Sequence, residues 1–146
     1  SFTSGCNYIN NYLKKKGYTS TGVHHTLHPS SSSYQRDGLG SNRSSAKDVG
    51  KLLEKIYKNQ AVSRKYSNQM LNLLLAQERR YKIPAGLPLG VKSGNKTGET
   101  DSYQHDAAIV YGKKTNYVIV VFAQAGEYTG INGIKEISGM VYERLN

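Results

Sequence analysis

The sequence predicts an α+β fold, in which a mainly helical part over residues 1–80 precedes an antiparallel sheet and a closing helix over residues 81–146. Three observations support this prediction. Apolar residues recur at helical spacing in the first part, β-rich segments with short connections follow, and helical spacing returns at the end of the chain. With 146 residues, the chain is one domain or a large part of one, and it can bury a substantial core.

Three helices are predicted in the helical part. Apolar spacing places them over residues 7–16, 45–59 and 63–77. The first helix has lysines in its last turn and Gly17 behind it, which favours a C-terminal cap. Ser45 is a favourable N-cap for the second, because Asp48 stands three residues later.

The segment from Tyr18 to Arg43 is polar and is predicted to be irregular. Long irregular segments in compact domains are commonly functional. Its three histidines, His24, His25 and His28, raise the question of a metal site. No acidic or thiol side chain stands close to them in the sequence, so we expect ordinary loop histidines.

The second part of the chain is predicted to form three strands and a helix. A loop over residues 79–90 leads to a strand that contains Lys96-Thr97-Gly98, here called the triplet. The apolar run from Tyr117 to Ala123 predicts a strand that is covered on both faces. The other predicted elements are a strand over 104–111, a hairpin turn over 112–116 and a final helix over about 130–144.

Composition restricts the function. The net charge of +10 favours anionic surroundings, which include nucleic acid, anionic lipid and anionic cell-wall polymer. A single cysteine excludes an internal disulfide and a cysteine-based metal site. We expect no membrane span, no signal peptide, no metal and no cofactor, and the lack of an initiating Met suggests a processed chain.

The triplet has the residue types that line a serine acyl-transferase cleft. On a strand, the ammonium attracts a substrate carboxylate, the hydroxyl binds it, and the glycine lets substrate backbone approach. The alternative is a basic turn between two strands, and Lys92-Ser93-Gly94 repeats the pattern upstream. Gly94-Asn95-Lys96-Thr97 also approaches a phosphate-binding loop, but Asn95 stands where that motif requires glycine.

The order of motifs resembles the second half of the class A β-lactamase and D-alanyl-D-alanine peptidase superfamily, over about residues 2–146. Ser4-Gly5-Cys6 matches that superfamily's Ser-x-Asn element with Cys in place of Asn, although Ser4 also suits an ordinary N-cap. Asn10 falls where class A enzymes have a structural asparagine. Ile83-Pro84-Ala85-Gly86, the triplet and His105-Asp106-Ala107-Ala108 then follow in the superfamily's order.

The resemblance implies a three-layer α/β/α arrangement whose N-terminal part is missing from this chain. The spacing from the triplet to the next strand selects Lys96, rather than Lys92, as the motif lysine. A nucleophilic serine upstream of the chain, with a lysine one turn later, would attack a D-alanyl-D-alanine peptide or a β-lactam. Ser4 would relay a proton to the leaving nitrogen, and Lys96 would support that relay. The resemblance assigns substrate binding to Cys6, Thr97, Gly98 and Glu99, with the Glu99 N–H as half of the oxyanion hole.

Two departures from that superfamily restrict the prediction. Ser44-Ser45-Ala46-Lys47 and Ser93-Gly94-Asn95-Lys96 match Ser-x-x-Lys, but neither stands in the right place. No glutamate lies between Gly17 and Arg43 to position a deacylating water, so a peptidase is favoured over an efficient β-lactamase. A class A β-lactamase with a divergent loop and a non-catalytic wall-binding or interaction domain remain as alternatives.

The expected partners follow from the same resemblance. They are a peptidoglycan stem peptide or a β-lactam, together with the missing N-terminal half or a swapped copy that pairs along residues 117–123. The expected location is extracytoplasmic, either secreted or at the cell surface. Nucleic acid is not expected, because no basic and aromatic cluster surrounds a glycine motif.

Overall fold

The computed structural model describes residues 1–27 and 34–146, so His28 lies outside the described residues. The chain forms two compact units, Ser1–Asp48 and Val49–Asn146. The helices are α1 (Phe2–Lys15), α2 (Ala46–Tyr57), α3 (Arg64–Leu75) and α4 (Glu127–Leu145), with a 3-10 helix over Ile83–Gly86. The strands are β1 (Lys92–Thr100), β2 (Tyr103–Tyr111) and β3 (Asn116–Ala123). None of the described helices has the length and apolar character needed to span a bilayer.

Helix α1 begins five residues earlier than the sequence predicts. The cap is Ser1, whose Oγ accepts a hydrogen bond from the backbone N–H of Ser4 at 3.3 Å. Ser4 is therefore inside the first turn, and its interpretation as the N-cap is wrong. The predicted cap of the second helix is confirmed, because Ser45 Oγ accepts from the Asp48 N–H at 3.2 Å. Ser63 likewise caps α3.

The segment after α1 is irregular, as predicted, but long-range contacts fold it back on itself. Isolated β-bridges join Gly22 to Arg43 and His25 to Arg36. As a result the expectation that the histidines lack an acidic partner is wrong: His24 Nδ1 lies 2.8 Å from the buried carboxylate of Asp37. Among residues 1–27 and 34–146, no cluster of three or more His, Cys, Asp or Glu side chains could hold a metal ion.

The second unit contains a three-stranded antiparallel sheet in the order β1-β2-β3. Alternate residues of β2 face opposite sides, which gives the sheet two apolar faces. Ala108 and Val110 pack with α4, while Ala107 and Ile109 pack with α2 and α3. The predicted layering of helices on both faces of an antiparallel sheet is therefore present within this unit.

Strand β3 lies at an edge of the sheet, since its neighbour within the described part of the chain is β2. Its side chains enter both apolar clusters, so both faces are covered as predicted. The cover is partial, however: of the eight residues of β3, Ile119 alone is buried. A strand in the middle of a sheet would be more enclosed.

Candidate active site

The triplet lies on β1, the opposite edge of the sheet from β3. A cavity of about 330 Å³ opens beside it, and its walls are formed by Gln77, Arg79, Lys96, Thr97, Gly98 and Glu99. Lys96 is exposed, and its Nζ donates to the Thr97 carbonyl at 2.6 Å. Thr97 is only 6% exposed. The structure thus brings together the predicted site residues of β1 at a single cavity.

The two glycines of the duplicated pattern have different surroundings. A Cβ on Gly94 would lie 3.0 Å from the Leu75 backbone nitrogen, so this glycine is explained by the packing of α3 on β1. A Cβ on Gly98 would meet only His105, at an ordinary contact distance of 3.6 Å. Packing does not require glycine at position 98. Glycine at this position instead leaves the strand without a side chain, which is the condition for close approach of a substrate backbone.

Glu99, directly after the triplet, is the centre of a charged cluster. Its carboxylate accepts from the hydroxyl of Tyr81 and from Arg79 Nη1, the latter at 2.8 Å, and Lys82 Nζ lies 3.7 Å away. The hydrogen bonds from Tyr81 and Arg79, together with the charge of Lys82, lower the pKa of Glu99 to about 2 from an ordinary 4.5. Glu99 is therefore an anion at any physiological pH.

Asp106 fixes the loop before β1 against the sheet. Its buried carboxylate accepts from the backbone N–H of Ile83 at 2.9 Å and of Ala107 at 3.0 Å, and from Asn95 Nδ2 at 3.1 Å. Burial raises the pKa of Asp106 above its usual range, although these donors oppose the rise. Ser138 of α4 also donates to the Ile83 carbonyl at 2.9 Å. The loop that carries the charged cluster is thus held by strands and helix together.

Ser4 and Cys6 belong to the first unit, on the first turns of α1. Ser4 is exposed, with its Oγ 3.0 Å from that of Ser1. Cys6 is 2% exposed and is a free thiol. Burial, with a smaller contribution from Asp37, raises the pKa of the Cys6 thiol, so it stays protonated at neutral pH. The predicted substrate contact of Cys6 stays a prediction.

Of the two internal Ser-x-x-Lys patterns, the one on β1 lacks the geometry of a nucleophile and its base. Ser93 and Lys96 both lie on β1, and residues three apart on a strand point to opposite faces. Ser93 is also buried and receives a hydrogen bond from Arg80 at 3.0 Å. Ser44 precedes α2 and shares a hydrogen bond with Thr21 at 2.9 Å. The phosphate-loop alternative also fails, because Gly94 to Thr97 form a strand and not a loop before a helix.

Sequence reasoning missed the three residues that surround Glu99. Arg79, Tyr81 and Lys82 were assigned to a loop without a role, yet they converge on the residue after the triplet. One signal was present in the sequence. Four consecutive basic or aromatic residues, 79–82, precede the Ile-Pro-Ala-Gly loop, and an acidic residue follows the triplet. The two come together only because the chain folds back between residues 82 and 99.

Solved structures with the same fold include PBP-A and several β-lactamases. PBP-A matches with a TM-score of 0.78 and 22% identity, covering 95% of this chain and 51% of its own. A PBP-A mutant, solved as an acyl-enzyme complex with penicillin G, matches with a TM-score of 0.79 and 23% identity. This match covers 95% of the present chain and 51% of the mutant. A β-lactamase from Sphaerobacter thermophilus matches with a TM-score of 0.80 and 18% identity, covering 97% of this chain and 54% of its own. The chain thus spans about half the length of these proteins.

The chain belongs to the β-lactamase enzyme family, whose family model matches residues 3–145. The predicted resemblance and the predicted fold class are both confirmed by these comparisons. Among curated protein sequences, none matches significantly.

Proposed function

We propose that this chain forms the part of a penicillin-recognising serine hydrolase that carries the Lys-Thr-Gly wall of the active-site cleft. The parent protein would act on D-alanyl-D-alanine peptides or β-lactams through an acyl-enzyme. The observation that carries the proposal is the cavity beside β1. The exposed Lys96, the largely buried Thr97 and the side-chain-free Gly98 line it on an edge strand, followed by Glu99.

Each residue takes a defined role in this proposal. Lys96 attracts the substrate carboxylate and supports proton transfer, and the Thr97 hydroxyl binds that carboxylate. The N–H of Glu99 donates to the oxyanion of the tetrahedral intermediate. Ser4 relays a proton to the leaving nitrogen, and the protonated thiol of Cys6 is a weak donor toward a substrate side chain.

The nucleophile in this proposal lies outside the chain. Two findings support this assignment. The Ser93 pattern lies on a strand and lacks the required geometry, and the chain spans about half the length of the structures it matches. The Ser44 pattern follows Ser4-Gly5-Cys6, which is the wrong order for the resembled superfamily. The substrate would be a peptidoglycan stem peptide, and the location extracytoplasmic. The net charge of +10 fits the anionic polymers of a cell wall.

Slow deacylation distinguishes a peptidase from the β-lactamase alternative. The segment over residues 17–43 contains no glutamate to activate a water, and the side chain of Asn10 binds the backbone of apolar Val23 there. We therefore expect the acyl-enzyme of the full-length protein to persist for minutes in intact-mass spectrometry. Turnover of a penicillin at about 10 per second, a typical enzymatic rate, would favour the β-lactamase.

Labelling with a fluorescent penicillin tests the proposal directly. The full-length protein should label, and Lys96→Ala should slow its acylation about a hundredfold, as expected for loss of one key electrostatic group. The exposed Lys92 on the same strand provides the control, since Lys92→Ala should acylate at the parent rate. The 146-residue chain alone should not label. Labelling of that chain at Ser44 or Ser93 would contradict the assignment, and a full-length protein that never labels would favour a non-catalytic wall-binding domain.

A further inference from the structure

Lys82 is a buried cation that the mechanism above does not use. Its side chain has no exposed surface, and a buried ammonium is tolerated only when its charge and its donors find partners. Nζ lies 3.3 Å from the carbonyl oxygen of Gly98 and 3.2 Å from that of His105. The Glu99 carboxylate, at 3.7 Å, is the third partner. Two carbonyl oxygens therefore accept hydrogen bonds from the ammonium group, and the carboxylate compensates its charge.

The Gly98 carbonyl has special importance because of the peptide unit to which it belongs. A peptide unit joins the C=O of one residue to the N–H of the next, so this carbonyl and the Glu99 N–H form one planar group. No cis peptide occurs among the described residues, and in a trans peptide the C=O and N–H bonds point in opposite directions, so that their dipoles add. Lys82 therefore holds one end of the peptide unit whose other end is the proposed oxyanion donor.

We propose that Lys82 is a positioning residue that orients and polarises the Gly98–Glu99 peptide for oxyanion binding. This inference rests on the proposed function. A cation bound at the carbonyl oxygen draws electron density along the peptide unit, which makes its N–H a stronger donor. It also fixes the direction of that N–H before the reaction starts, and donors that need no reorientation stabilise developing charge best.

The ammonium group of Lys82 contacts a backbone carbonyl on each of two neighbouring strands. Gly98 and His105 are opposite each other in the register of β1 and β2. Because Nζ contacts both carbonyls, it ties the orientation of the Gly98 peptide plane to the central strand β2. Arg79 and Tyr81 also donate hydrogen bonds to the Glu99 carboxylate, so the position of that carboxylate does not depend on Lys82 alone.

The test uses the full-length protein with Lys82→Met, which keeps the side-chain length and removes its charge and donors. Isotope labelling of glycine carbonyl carbons and glutamate nitrogens selects Gly–Glu peptides in NMR spectra. This chain has two of them, Gly98–Glu99 and Gly126–Glu127, and the second is an internal reference. A Glu127→Gln variant assigns the reference signal. Lys82→Gln, which keeps a neutral donor, replaces Lys82→Met should the latter not fold.

We expect the Gly98–Glu99 signal to move while the Gly126–Glu127 signal stays. Acylation by a penicillin should slow about tenfold, a partial loss of one oxyanion donor, with the Kd of the non-covalent complex unchanged. Lys92→Met, at an exposed position on β1, should alter neither the Gly98–Glu99 signal nor the acylation rate. A merely structural lysine would instead lower thermal stability without a selective shift of that peptide.

Two results would overturn the inference. One is an unchanged Gly98–Glu99 signal in a folded Lys82 variant, and the other is an unchanged acylation rate in a protein that acylates. If the parent protein does not react with a penicillin at all, the proposed function fails and the oxyanion role fails with it. The isotope signal then still decides whether Lys82 polarises this peptide.

Discussion

The side-chain amide of Asn10 binds both backbone groups of Val23. Asn10 Nδ2 donates to the Val23 carbonyl at 2.9 Å, and the Val23 N–H donates to Asn10 Oδ1 at 2.8 Å. One side chain thus completes the hydrogen bonding of a residue in the irregular segment, where no strand partner does so. The expected structural role of Asn10 is consistent with this geometry.

Asn10→Ala should therefore loosen the irregular segment. Two part-buried backbone groups would lose their partner, which costs about 1–3 kcal/mol of unfolding free energy. The amide hydrogen of Val23 should exchange faster, as hydrogen exchange with mass spectrometry would show. The neighbouring Asn11 is exposed, and Asn11→Ala should change neither quantity. Equal protection of Val23 in the Asn10 variant would contradict the role.

The depressed pKa of Glu99 predicts a specific pH dependence of stability. A carboxylate whose folded pKa lies below its unfolded value contributes stability above the unfolded pKa, and this contribution disappears as the pH falls through the folded pKa. For Glu99 the window runs from 4.5 down to about 2. Glu99→Gln should be less stable than the parent at neutral pH, and the difference should shrink across this window. Urea unfolding at a series of pH values measures it.

Glu143, an exposed glutamate on α4, provides the comparison for that experiment. Glu143→Gln should leave the pH dependence close to that of the parent. A difference between parent and Glu99→Gln that stayed constant from neutral pH to pH 2 would show that the Tyr81 and Arg79 contacts do not stabilise the ionised carboxylate.

Two glycines should respond to alanine in opposite directions. A Cβ on Gly86 would lie 2.1 Å from the backbone oxygen of Lys135, which cannot move without shifting α4. Gly86→Ala should therefore destabilise the fold by about 1–3 kcal/mol.

Gly133 lies inside α4 with nothing within 4 Å of the corresponding position. Gly133→Ala should stabilise by up to about 1 kcal/mol, because alanine is the better helix former. Thermal and urea unfolding would compare the two, and a tolerated Gly86→Ala would contradict the close packing of the loop on α4.

The exposed edge of β3 predicts association. Backbone N–H and C=O groups along Tyr117 to Ala123 have β2 on one side, and neither proline nor lysine interrupts the run. Such an edge recruits another chain or aggregates. We expect this 16.2 kDa chain to swap, aggregate or require a complementary segment, as light scattering after size exclusion would show. The central strand β2 is the internal reference for hydrogen exchange. A stable monomer with an unprotected β3 would contradict the prediction.

Local signals in the sequence determined the type and order of the elements. Apolar spacing located the four α-helices of residues 1–27 and 34–146, and the cap at Ser45 was readable because a cap acts on residues two or three positions away. The sequence also determined which strand carries the triplet. Apolar spacing does not reveal the start of α1, because residues 3–7 are small or polar and only the hydrogen bond to the Ser1 side chain shows where the helix begins.

The tertiary structure alone decided the surroundings of the site. Tyr81 and Lys82 stand 18 and 17 residues before Glu99, and His24 stands 13 residues before Asp37. No periodicity predicts such pairs, because their contact depends on how the chain folds back before β1 and on the β-bridges of the irregular segment. The burial of Lys82 is likewise invisible in a sequence, where lysine predicts exposure. Local chemistry thus identified the wall of the site, whereas long-range packing decided which charges act on it.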